Sequence, residues 1–380
     1  MKQNWTYKKL GEVATFVNGY PFKPDDWEES GMPIIRIQNL NNPNATYNYY
    51  SGSIDARYIV SNGDVLISWS GTLGVYEWNE NESALLNQHI FKVVFDKIPI
   101  DKVFFKYAVS SRISEMKSKV HGITMQHITK GEFDKTAIPV PPLPEQQQIV
   151  SELDLLQSII DKQQAQLKEL DTLAQAVFYD MFGDPVENEK GWEVKKMGEI
   201  GTIERGAGIS KKDFTENGLP CIHYGQLHTC LGATTYKHRT CIPENLMPKY
   251  KIAHPGDVVM AITSEDVDGS CKSTAWLGNY DIIVGSDAAI YHHNMNGVFI
   301  SYYTQTKAFY DEKAKYAKGF KVTHISATEI ESIPIPVPPL SLQQKFAAKI
   351  EAIEKQKATI AQSIAETQKL FNYTMDKYFG

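Results

Sequence analysis

Nearly the same phrase occurs twice in this chain. IPVPPLPEQQ occupies residues 138–147 and IPVPPLSLQQ occupies residues 335–344, so the two copies lie 197 residues apart. The phrase is part of a longer repeat, because residues 122–183 align without gaps to residues 319–380. An internal repeat of this kind predicts two copies of one structural unit within a single chain.

The repeat continues upstream, but less regularly. WTYKKLGEV, which begins at Trp5, resembles WEVKKMGEI at Trp192, and GDVLI at Gly63 resembles GDVVM at Gly256. The interval grows from 187 to 193 and then to 197 residues, so the second copy has a longer body. Tails of equal length after bodies of unequal length indicate one shared role for the tails and two different roles for the bodies.

The repeat predicts four segments in the order body, helix, body, helix. We expect divergent globular bodies at 1–143 and 186–340, and helical segments at 144–185 and 341–380. The proline run before each helical segment removes backbone N–H donors and favours an extended chain. Each helix then starts after that run, near Pro144 in the first copy.

Both helical segments carry apolar residues at alternating steps of four and three residues, which is the pattern of a coiled-coil seam. The predicted helix-pairing residues of the first segment are Ile149, Leu153, Leu156, Ile160, Leu167, Leu170 and Val177. Those of the second segment are Phe346, Ile350, Ile353, Ile360, Ile364 and Phe371. The alternative is that each helix packs only on its own body.

Charge favours pairing between the two helical segments. Residues 144–185 hold two basic and eight acidic residues (net −6), whereas residues 341–380 hold six and four (net +2). Gln163 and Lys357 interrupt the two seams, a device that can set helix register at a cost in stability. Antiparallel pairing of helices about 57 Å long would place the bodies at opposite ends of a spacer, related by a pseudo-two-fold axis.

The bodies are predicted to be mixed α/β or α+β domains. Residues 33–40, 63–71, 87–95, 256–264 and 288–294 are rich in β-branched and aromatic residues, which favour strands. The stretches that lead into each repeated tail, at 101–118 and 297–316, have a helical pattern.

Composition places few limits on function. The net charge of −6 excludes a generally basic nucleic-acid-binding chain, so any DNA surface must be local. No run approaches the 18 apolar residues of a membrane span, and the first residues lack a signal-peptide core, so we expect a cytoplasmic protein without membrane contact. The four cysteines do not form a disulfide framework.

The motifs of several enzyme classes are missing from the sequence. There is no N-P-P-Y or D-P-P-Y motif of amino-methyltransferases, no P-loop, no G-x-S-x-G and no H-E-x-x-H. A Cys/His cluster at 221–241 has unusual spacings for zinc and no counterpart in the first body. Buried thiols with surface or DNA-facing histidines explain it better, so we predict no metal site.

These features together resemble the specificity subunit of type I restriction–modification systems. The resemblance rests on the I-P-V-P-P-L-P-E-Q-Q phrase, the W-x-x-K-K-L-G-E opening, the G-D-V-L-I strand and their duplication over essentially the whole chain. The second copy departs from the pattern, with Ser341-Leu342 in place of Pro144-Glu145. This change affects the start of the helix and leaves the resemblance intact.

The resemblance implies a DNA-binding subunit without catalytic activity. Each body would be a target recognition domain that reads one half of a bipartite, asymmetric DNA site, and the helices would set the gap and dock two methyltransferase subunits. A separate restriction and translocase subunit would complete the complex. No cofactor is expected in this chain, since S-adenosylmethionine, Mg²⁺ and ATP would bind the partner subunits.

Candidate DNA contacts are polar and aromatic residues at predicted loop tips, because such side chains reach phosphates and base edges. In the first body they are Asn18, Tyr20, Phe22, Lys23, Arg36, Gln38, Asn39, Ser68, Ser70, Thr72, Lys119, His121, Thr124 and Gln126. In the second body they are Arg205, Lys211, Lys212, His223, Tyr224, Gln226, Ser264, Lys318, Lys321 and Thr323. We expect about half of them to touch DNA, and we interpret Trp5, Trp69 and Trp192 as structural.

Three other functions stay open at this point. One is the same recognition module working with a fused restriction–methylation enzyme instead of separate subunits, and the neighbouring gene would distinguish the two. A coiled-coil scaffold without DNA affinity predicts no salt-dependent binding. A nuclease would rest only on scattered acidic and lysine residues.

Overall fold

The computed structural model describes residues 5–42, 44–118, 128–209, 211–244, 250–317 and 323–380. The chain forms two compact units. Unit 1 comprises residues 1–164 and 362–380, and unit 2 comprises residues 165–361. In the part of the chain that the structure describes, no helix is both long enough and apolar enough to cross a membrane.

Among its described residues, unit 1 contains ten strands and the start of a long helix. The strands are β1 (Thr6–Lys9), β2 (Thr15–Asn18), β3 (Met32–Ile35), β4 (Asn48–Tyr50), β5 (Ile59–Val60), β6 (Val65–Ser68), β7 (Gly74–Glu77), β8 (Ala84–Leu86), β9 (Ile90–Val94) and β10 (Ala137–Val140). The helices are α1 (Leu10–Val13), α2 (Ile37–Asn41), α3 (Lys102–Ser118), α4 (Lys130–Lys135) and α5 (Leu143–Phe182), with 3₁₀ turns at Pro24–Asp26 and Ala56–Tyr58.

The strands of unit 1 form two four-stranded sheets and one strand pair. The orders are β2-β9-β6-β7 and β4-β3-β8-β5, and β1 pairs with β10. The first sheet is antiparallel throughout, while β3 and β8 pair in parallel. Helix α3 contributes Phe104 and Phe105 to the main core, which also contains Phe16, Phe91 and Phe133. The mixed α/β prediction for the bodies is therefore confirmed.

Unit 2 repeats this plan with more strands. The strands are β11 (Glu193–Lys196), β12 (Gly201–Arg205), β13 (Leu219–Ile222), β14 (Thr234–Thr235), β15 (Thr240–Ile242), β16 (Lys251–Ala253), β17 (Val258–Ala261), β18 (Thr263–Ser264), β19 (Ser273–Trp276), β20 (Ile282–Val284), β21 (Ala288–His293), β22 (Thr323–His324) and β23 (Pro334–Val337). The helices are α6 (Met197–Ile200), α7 (Tyr224–Thr229), α8 (Gly297–Tyr303), α9 (Lys307–Ala314), α10 (Ala327–Glu331) and α11 (Leu340–Phe379), with a 3₁₀ turn at Lys211–Asp213.

The sheets of unit 2 correspond to those of unit 1. The orders are β12-β21-β17-β19-β14 and β15-β13-β20-β16, with strand pairs β11-β23 and β18-β22. Where unit 1 has the single helix α3, unit 2 has α8 and α9, separated by a short turn. Phe299 and Phe309 from these two helices enter the core.

The repeated sequence phrases pair with each other in space. The opening strand β1 runs antiparallel to the proline-containing strand β10, and β11 pairs with β23 in the same way. A short helix follows each opening strand, and its glutamate caps it: the Lys9 amide donates to Glu12 at 2.9 Å and the Lys196 amide donates to Glu199 at 2.6 Å. The K-x-G-E part of the motif is thus a helix start.

The first glutamine of each Q-Q pair is a buried clamp. In unit 1 the Gln146 side chain donates to the Pro141 carbonyl at 2.7 Å and accepts from the Asp101 amide at 2.8 Å. In unit 2 the Gln343 side chain donates to the Pro338 carbonyl at 2.7 Å and accepts from the amide of Asn296, which directly precedes α8, at 2.8 Å. These hydrogen bonds join the proline run to the start of helix α3 in unit 1 and of helix α8 in unit 2. The glutamine of the repeated motif therefore has a structural role.

Helices α5 and α11 pair antiparallel within each unit. In unit 1, Gln163 donates to Ser363 at 2.7 Å and Tyr378 donates to Glu152 at 2.6 Å. In unit 2, Lys357 pairs with Asp171 at 2.7 Å. The residue number rises along one helix as it falls along the other, so the predicted pairing and direction are confirmed.

Burial of the seam depends on what covers the helix pair. Seven predicted seam residues are at most 8% exposed: Ile149, Leu153, Leu156, Ile160, Phe346, Ile350 and Ile353. Six are partly buried: Leu167, Leu170, Val177, Ile360, Ile364 and Phe371. The body cores include Ile149 and Leu153 in unit 1 and Phe346, Ile350 and Ile353 in unit 2, and Leu170, Val177 and Phe371 pack against the edges of these cores.

Candidate nucleic-acid interface

One hydrogen-bonded frame occurs in both units, at the end of the sheet β2-β9-β6-β7 in unit 1 and of the sheet β12-β21-β17-β19-β14 in unit 2. In unit 1 the Trp69 amide donates to the His89 carbonyl at 3.1 Å, and the Ile128 amide donates to the Trp69 carbonyl at 3.2 Å. His89 has φ of 74°, in the left-handed region, just before strand β9. This frame fixes the backbone where strands β6 and β9 meet the chain that precedes α4.

The frame of unit 2 has the same connections. The Ile262 amide donates to the Asp287 carbonyl at 3.0 Å, and the Ile325 amide donates to the Ile262 carbonyl at 3.1 Å. Asp287 also has a left-handed φ of 64°, just before β21. The equivalence is therefore Trp69 with Ile262 and His89 with Asp287.

A glycine lies beside each frame because the backbones approach closely. A Cβ atom at Gly19 would lie 1.9 Å from the Asn87 carbonyl oxygen, and one at Gly206 would lie 2.2 Å from the Gly285 carbonyl oxygen. The residues just before these glycines, Asn18 and Arg205, end strands β2 and β12 and therefore occupy equivalent positions. We call the side chains around each frame the polar edge of that unit.

The side chains described at the polar edge of unit 1 are mainly aromatic, and none of Asn18, Tyr20 and Trp69 carries a charge. The Trp69 ring nitrogen donates to Asn18 at 3.0 Å, and the ring stacks on Phe91 with centroids 5.6 Å apart. The centroid of the His89 ring lies 4.9 Å from that of the Trp69 ring. Tyr20, which is 37% exposed, follows on the adjoining loop.

The polar edge of unit 2 carries charge. The Arg205 guanidinium lies 3.7 Å from the Asp287 carboxylate and is more than half exposed. The Thr263 hydroxyl lies 3.3 Å from the same carboxylate and 2.9 Å from the His324 ring. The His228 ring bonds the Thr263 carbonyl at 3.2 Å.

The structure brings several predicted contacts together at these edges. In unit 1 these are Asn18 and Tyr20, and in unit 2 Arg205 and Tyr224, whose ring lies 5.9 Å from His228. Lys23, Gln38, Thr72 and Lys212 are exposed elsewhere on their units. Arg36 is held by Asn48 at 3.0 Å and lies over the Trp27 ring at 4.9 Å. His223 stacks on Phe214, with ring centroids 4.6 Å apart.

Other predicted contacts have buried side chains, which is a correction to their assignment as exposed loop-tip groups. Their exposure is 8% or less: Phe22, Asn39, Ser68, Ser70, Gln226, Ser264 and Thr323. Phe22 packs against Tyr50, and Asn39 holds the Ala45 and Thr46 carbonyls. Gln226 bonds Thr240 at 3.2 Å. Polar residues at strand ends serve as internal caps as readily as contact groups, and sequence alone does not separate the two.

Some predicted contacts lie outside the described residues. These are Lys119, His121, Thr124, Gln126, Lys318 and Lys321, and the side chain of Lys211.

Sequence reasoning missed four residues of the polar edges: His89, Thr263, Asp287 and His324. Trp69 was interpreted as structural, yet it also bonds Asn18 at the edge. Aligning the two copies by strand register would have shown His89 and Asp287 at one position, each directly before a strand.

In the Cys/His cluster, Cys221 and Cys241 lie on the paired strands β13 and β15. Cys221 and Cys241 are buried, whereas Cys230 is exposed, contrary to the expectation of buried thiols. Burial raises the pKa of the Cys221 thiol. In the part of the chain that the structure describes, no group of three His, Cys, Asp or Glu side chains is arranged to hold a metal ion.

Comparisons with known proteins agree with this duplicated architecture. The family model described as "Type I restriction modification DNA specificity domain" matches residues 2–172 and again residues 189–369. The MjaVIII specificity subunit of Methanocaldococcus jannaschii is 23% identical over 379 residues, covering 93% of this chain and 86% of that subunit. The EcoBI specificity subunit of Escherichia coli is 31% identical over 169 residues, which is 44% of this chain but only 35% of that subunit.

Two solved structures share the fold. The S subunit of a type I restriction–modification system from M. genitalium has a TM-score of 0.53 at 13% identity, covering 99% of this chain and 96% of that one. A chain from a study of complex assembly and conformational transition in the type I R-M system has a TM-score of 0.58 at 18% identity, covering 99% and 98%. With both halves matched by one family, the chain belongs to the type I restriction–modification DNA specificity family.

Proposed function

We propose that each unit reads one half of a bipartite DNA site on behalf of a type I restriction–modification complex. The observation that carries this proposal is the shared frame: the same backbone hydrogen bonds hold Trp69 and His89 in unit 1 but Ile262 and Asp287 in unit 2. Asn18 and Arg205 end the equivalent strands β2 and β12 beside it. A constant frame with variable side chains suits a pair of domains that read different sequences.

The two polar edges offer different chemistry to base pairs. Arg205 is suited to the acceptors of guanine or to a phosphate, whereas Asn18 is suited to adenine. The aromatic Trp69 and Tyr20 provide contact area for sugars and thymine methyl groups. Because the edges differ in charge, we expect the two half-sites to differ in sequence, which makes the whole site asymmetric.

The helices α5 and α11 are proposed to set the gap between the half-sites. Each has 40 residues, which corresponds to about 60 Å at about 1.5 Å per residue. One turn of DNA is about 34 Å, so a spacer built from such helices suits a site with unread bases between its halves. Inserting four residues into α5 should change the gap or abolish activity while both half-sites keep their sequence, and a changed half-site would contradict the spacer role.

The helix pair in unit 1 has an exposed apolar face. Glu152 approaches Lys377 at 3.6 Å on one side of the seam. By helical periodicity, four apolar residues lie on that same side and are at least 36% exposed: Leu155, Ile159, Leu370 and Tyr373. On the opposite side, Tyr107 of the body donates to Asp154 at 2.7 Å, whereas Trp5 of the body reaches the first side, where it donates to Glu145 at 2.7 Å.

The matching face in unit 2 is smaller. The residues at the corresponding repeat positions are Leu173, Ala176, Ala352 and Gln356, and only Leu173 is a large exposed hydrophobic residue. We propose that two methyltransferase subunits dock on these faces, one on each unit, with more apolar contact on unit 1. Exposed apolar patches of this kind mark protein interfaces.

Substitution of Tyr373 tests the docking surface. Tyr373→Glu places a charge in the apolar face and should weaken retention of one methyltransferase copy at least 10-fold. Gln368→Glu adds the same charge to an exposed position on the same helix and is the matched control. Native mass spectrometry of the co-purified complex measures the copies retained, and equal retention by both variants would contradict the assignment.

The chain is proposed to have no catalytic activity of its own. S-adenosylmethionine, ATP and Mg²⁺ would act on the methyltransferase subunits and on a separate restriction and translocase subunit. The purified complex with methyltransferase should bind its DNA with an affinity whose logarithm falls linearly with the logarithm of salt concentration. Negligible, salt-insensitive binding would instead favour a scaffold.

A further inference from the structure

The turn that follows strand β6 in unit 1 and the loop that follows the equivalent strand β17 in unit 2 cover different buried residues. In unit 1 the space under Ser68, Trp69 and Leu73 is lined by Met116, which is 4% exposed. In unit 2, Lys313 is 197 residues further on, the same interval as between the tails, and is also 4% exposed. A buried apolar side chain in one unit is thus replaced by a buried lysine in the other.

The Lys313 ammonium group holds a loop from inside the protein. It donates to the carbonyls of Asp268 and Ser270, the former at 3.2 Å. It also lies 5.4 Å from the centre of the Tyr310 ring. Burial lowers the pKa of Lys313 from its ordinary value. Burying an ammonium group is costly unless it is hydrogen-bonded. The carbonyls of Asp268 and Ser270 supply these hydrogen bonds and so stabilise Lys313 in its buried position.

The loop held by Lys313 adjoins the polar edge of unit 2. It begins at Ser264, directly after Thr263, and ends at Cys271, whose amide donates to the Ala261 carbonyl at 2.7 Å. Within it, the Gly269 amide donates to Asp266 at 2.7 Å. The loop exposes Glu265, Asp266 and Asp268.

Space beside the lysine allows the loop to move when its anchor is removed. A cavity of about 360 Å³ is lined by Asp268, Cys271, Lys272 and Lys313, among other residues. Without the ammonium donor, two carbonyls would lose their partner, and the loop can turn them towards solvent in this cavity. We therefore expect local loosening of the loop in preference to loss of the fold.

We propose that Lys313 is a positioning residue that holds the loop Ser264–Cys271 in the conformation with which unit 2 reads its half-site. This inference rests on the proposed function of unit 2 as a DNA-reading domain. The loop supplies carboxylates that accept from the exposed amino groups of cytosine or adenine, and it supports Thr263 at the polar edge. A loop held from within reads bases more selectively because less of its freedom is lost on binding.

The test is Lys313→Met, which introduces the residue that unit 1 has at this place. The variant is co-expressed with its methyltransferase partner, and methylated sites are mapped genome-wide. We expect discrimination at the second half-site to fall about 10-fold while the first half-site is read as before. Hydrogen exchange of the Gly269 amide should accelerate about 10-fold in the same variant.

Lys307→Met is the matched control, because Lys307 lies on the same helix, is exposed and pairs with Asp311. It should change neither half-site. If Lys313→Met does not fold, Lys313→Gln keeps an amide donor in the cavity and should show a smaller loss confined to the second half-site.

Two results would overturn the inference. One is unchanged reading of both half-sites by Lys313→Met, or by Lys313→Gln if only that variant folds. The other is equal loss at both half-sites together with a lower melting temperature. Failure of the proposed function is distinguishable, because the wild-type complex would then show no second half-site at all.

Discussion

At the position where unit 1 holds Trp69, bonded to Asn18 and flanked by His89, unit 2 holds Ile262, flanked by Arg205 and Asp287. The backbone hydrogen bonds at this position agree within about 0.1 Å between the units. The side chains share neither charge nor aromatic character. The comparison shows that the same backbone frame accommodates different side chains in the two units.

The tails of the two units show the opposite behaviour. Gln146 and Gln343 make the same two hydrogen bonds with the same distances of 2.7 and 2.8 Å. They are 1% and 2% exposed. The glutamine that links the helix to the strand and the body is therefore the same in both units, whereas the side chains of the polar edges differ.

The largest expected effect tests the equivalence of the tails. Gln146→Ala and Gln343→Ala each leave a buried carbonyl and a partly buried amide without partners, so each should lower the free energy of unfolding of its unit by about 2–3 kcal/mol. Gln147→Ala and Gln344→Ala, at the exposed neighbouring positions, are the controls and should have little effect. Urea unfolding measures the change, and a loss in only one unit would break the equivalence.

A second prediction concerns pH and separates the two units. Burial lowers the pKa of His293 to about 4. Below pH 6.5 the unfolded chain binds a proton that the folded chain does not, so unit 2 loses stability as the pH falls from about 6.5 towards 4. The loss from this residue should reach about 2 kcal/mol at pH 5.

The corresponding residue of unit 1 is Phe95. Thr15 pairs with Val94 and Thr202 with His292, so one step further along each strand leads to Phe95 and His293. His293→Phe should therefore remove this part of the pH dependence. Thermal unfolding of wild type and variant at pH 7 and pH 5 measures it. An unchanged difference between the two pH values would show that other groups are responsible.

The smallest expected effect compares the two polar breaks in the helix seam. Gln163 Oε1 is buried and has no hydrogen-bond partner among the described residues. Gln163→Leu should therefore stabilise unit 1 by about 1 kcal/mol.

Lys357→Leu should not stabilise unit 2. Hydrogen bonds to Asp171 and Glu354 outweigh the effect of burial and raise the pKa of Lys357, so its removal leaves two carboxylates without their partner. Chemical unfolding of both variants measures the contrast. Equal stabilisation would mean that the two breaks are interchangeable.

The sequence allowed the repeat, the helix pair and the mixed α/β bodies to be predicted, because each follows from spacing. The alternation of four and three residues marks Ile149 and Phe346 as seam positions, and charge favoured pairing between the two helices. The P-x-E-Q-Q phrase was recognised as a motif, but its role as a clamp needed the spatial proximity of Asp101 to Gln146.

The polar edges were predicted less well for a physical reason. Ser68 and Asn39 have the composition of loop-tip contacts, yet their side chains satisfy nearby backbone carbonyls. His89 and Asp287 lie next to strand starts and give no local signal, since only the strand register brings them to one place. Long-range register decides which polar residues face outward.

The most direct measurement is a genome-wide methylation map from this chain co-expressed with its methyltransferase, as wild type, Asn18→Ala and Arg205→Ala. We predict a split, asymmetric motif with a constant unread gap for the wild type. Asn18→Ala should relax one half-site, and Arg205→Ala should relax the other, each by about 10-fold. A continuous motif, or relaxation of the same half-site by both substitutions, would contradict the reading of DNA by two separate units.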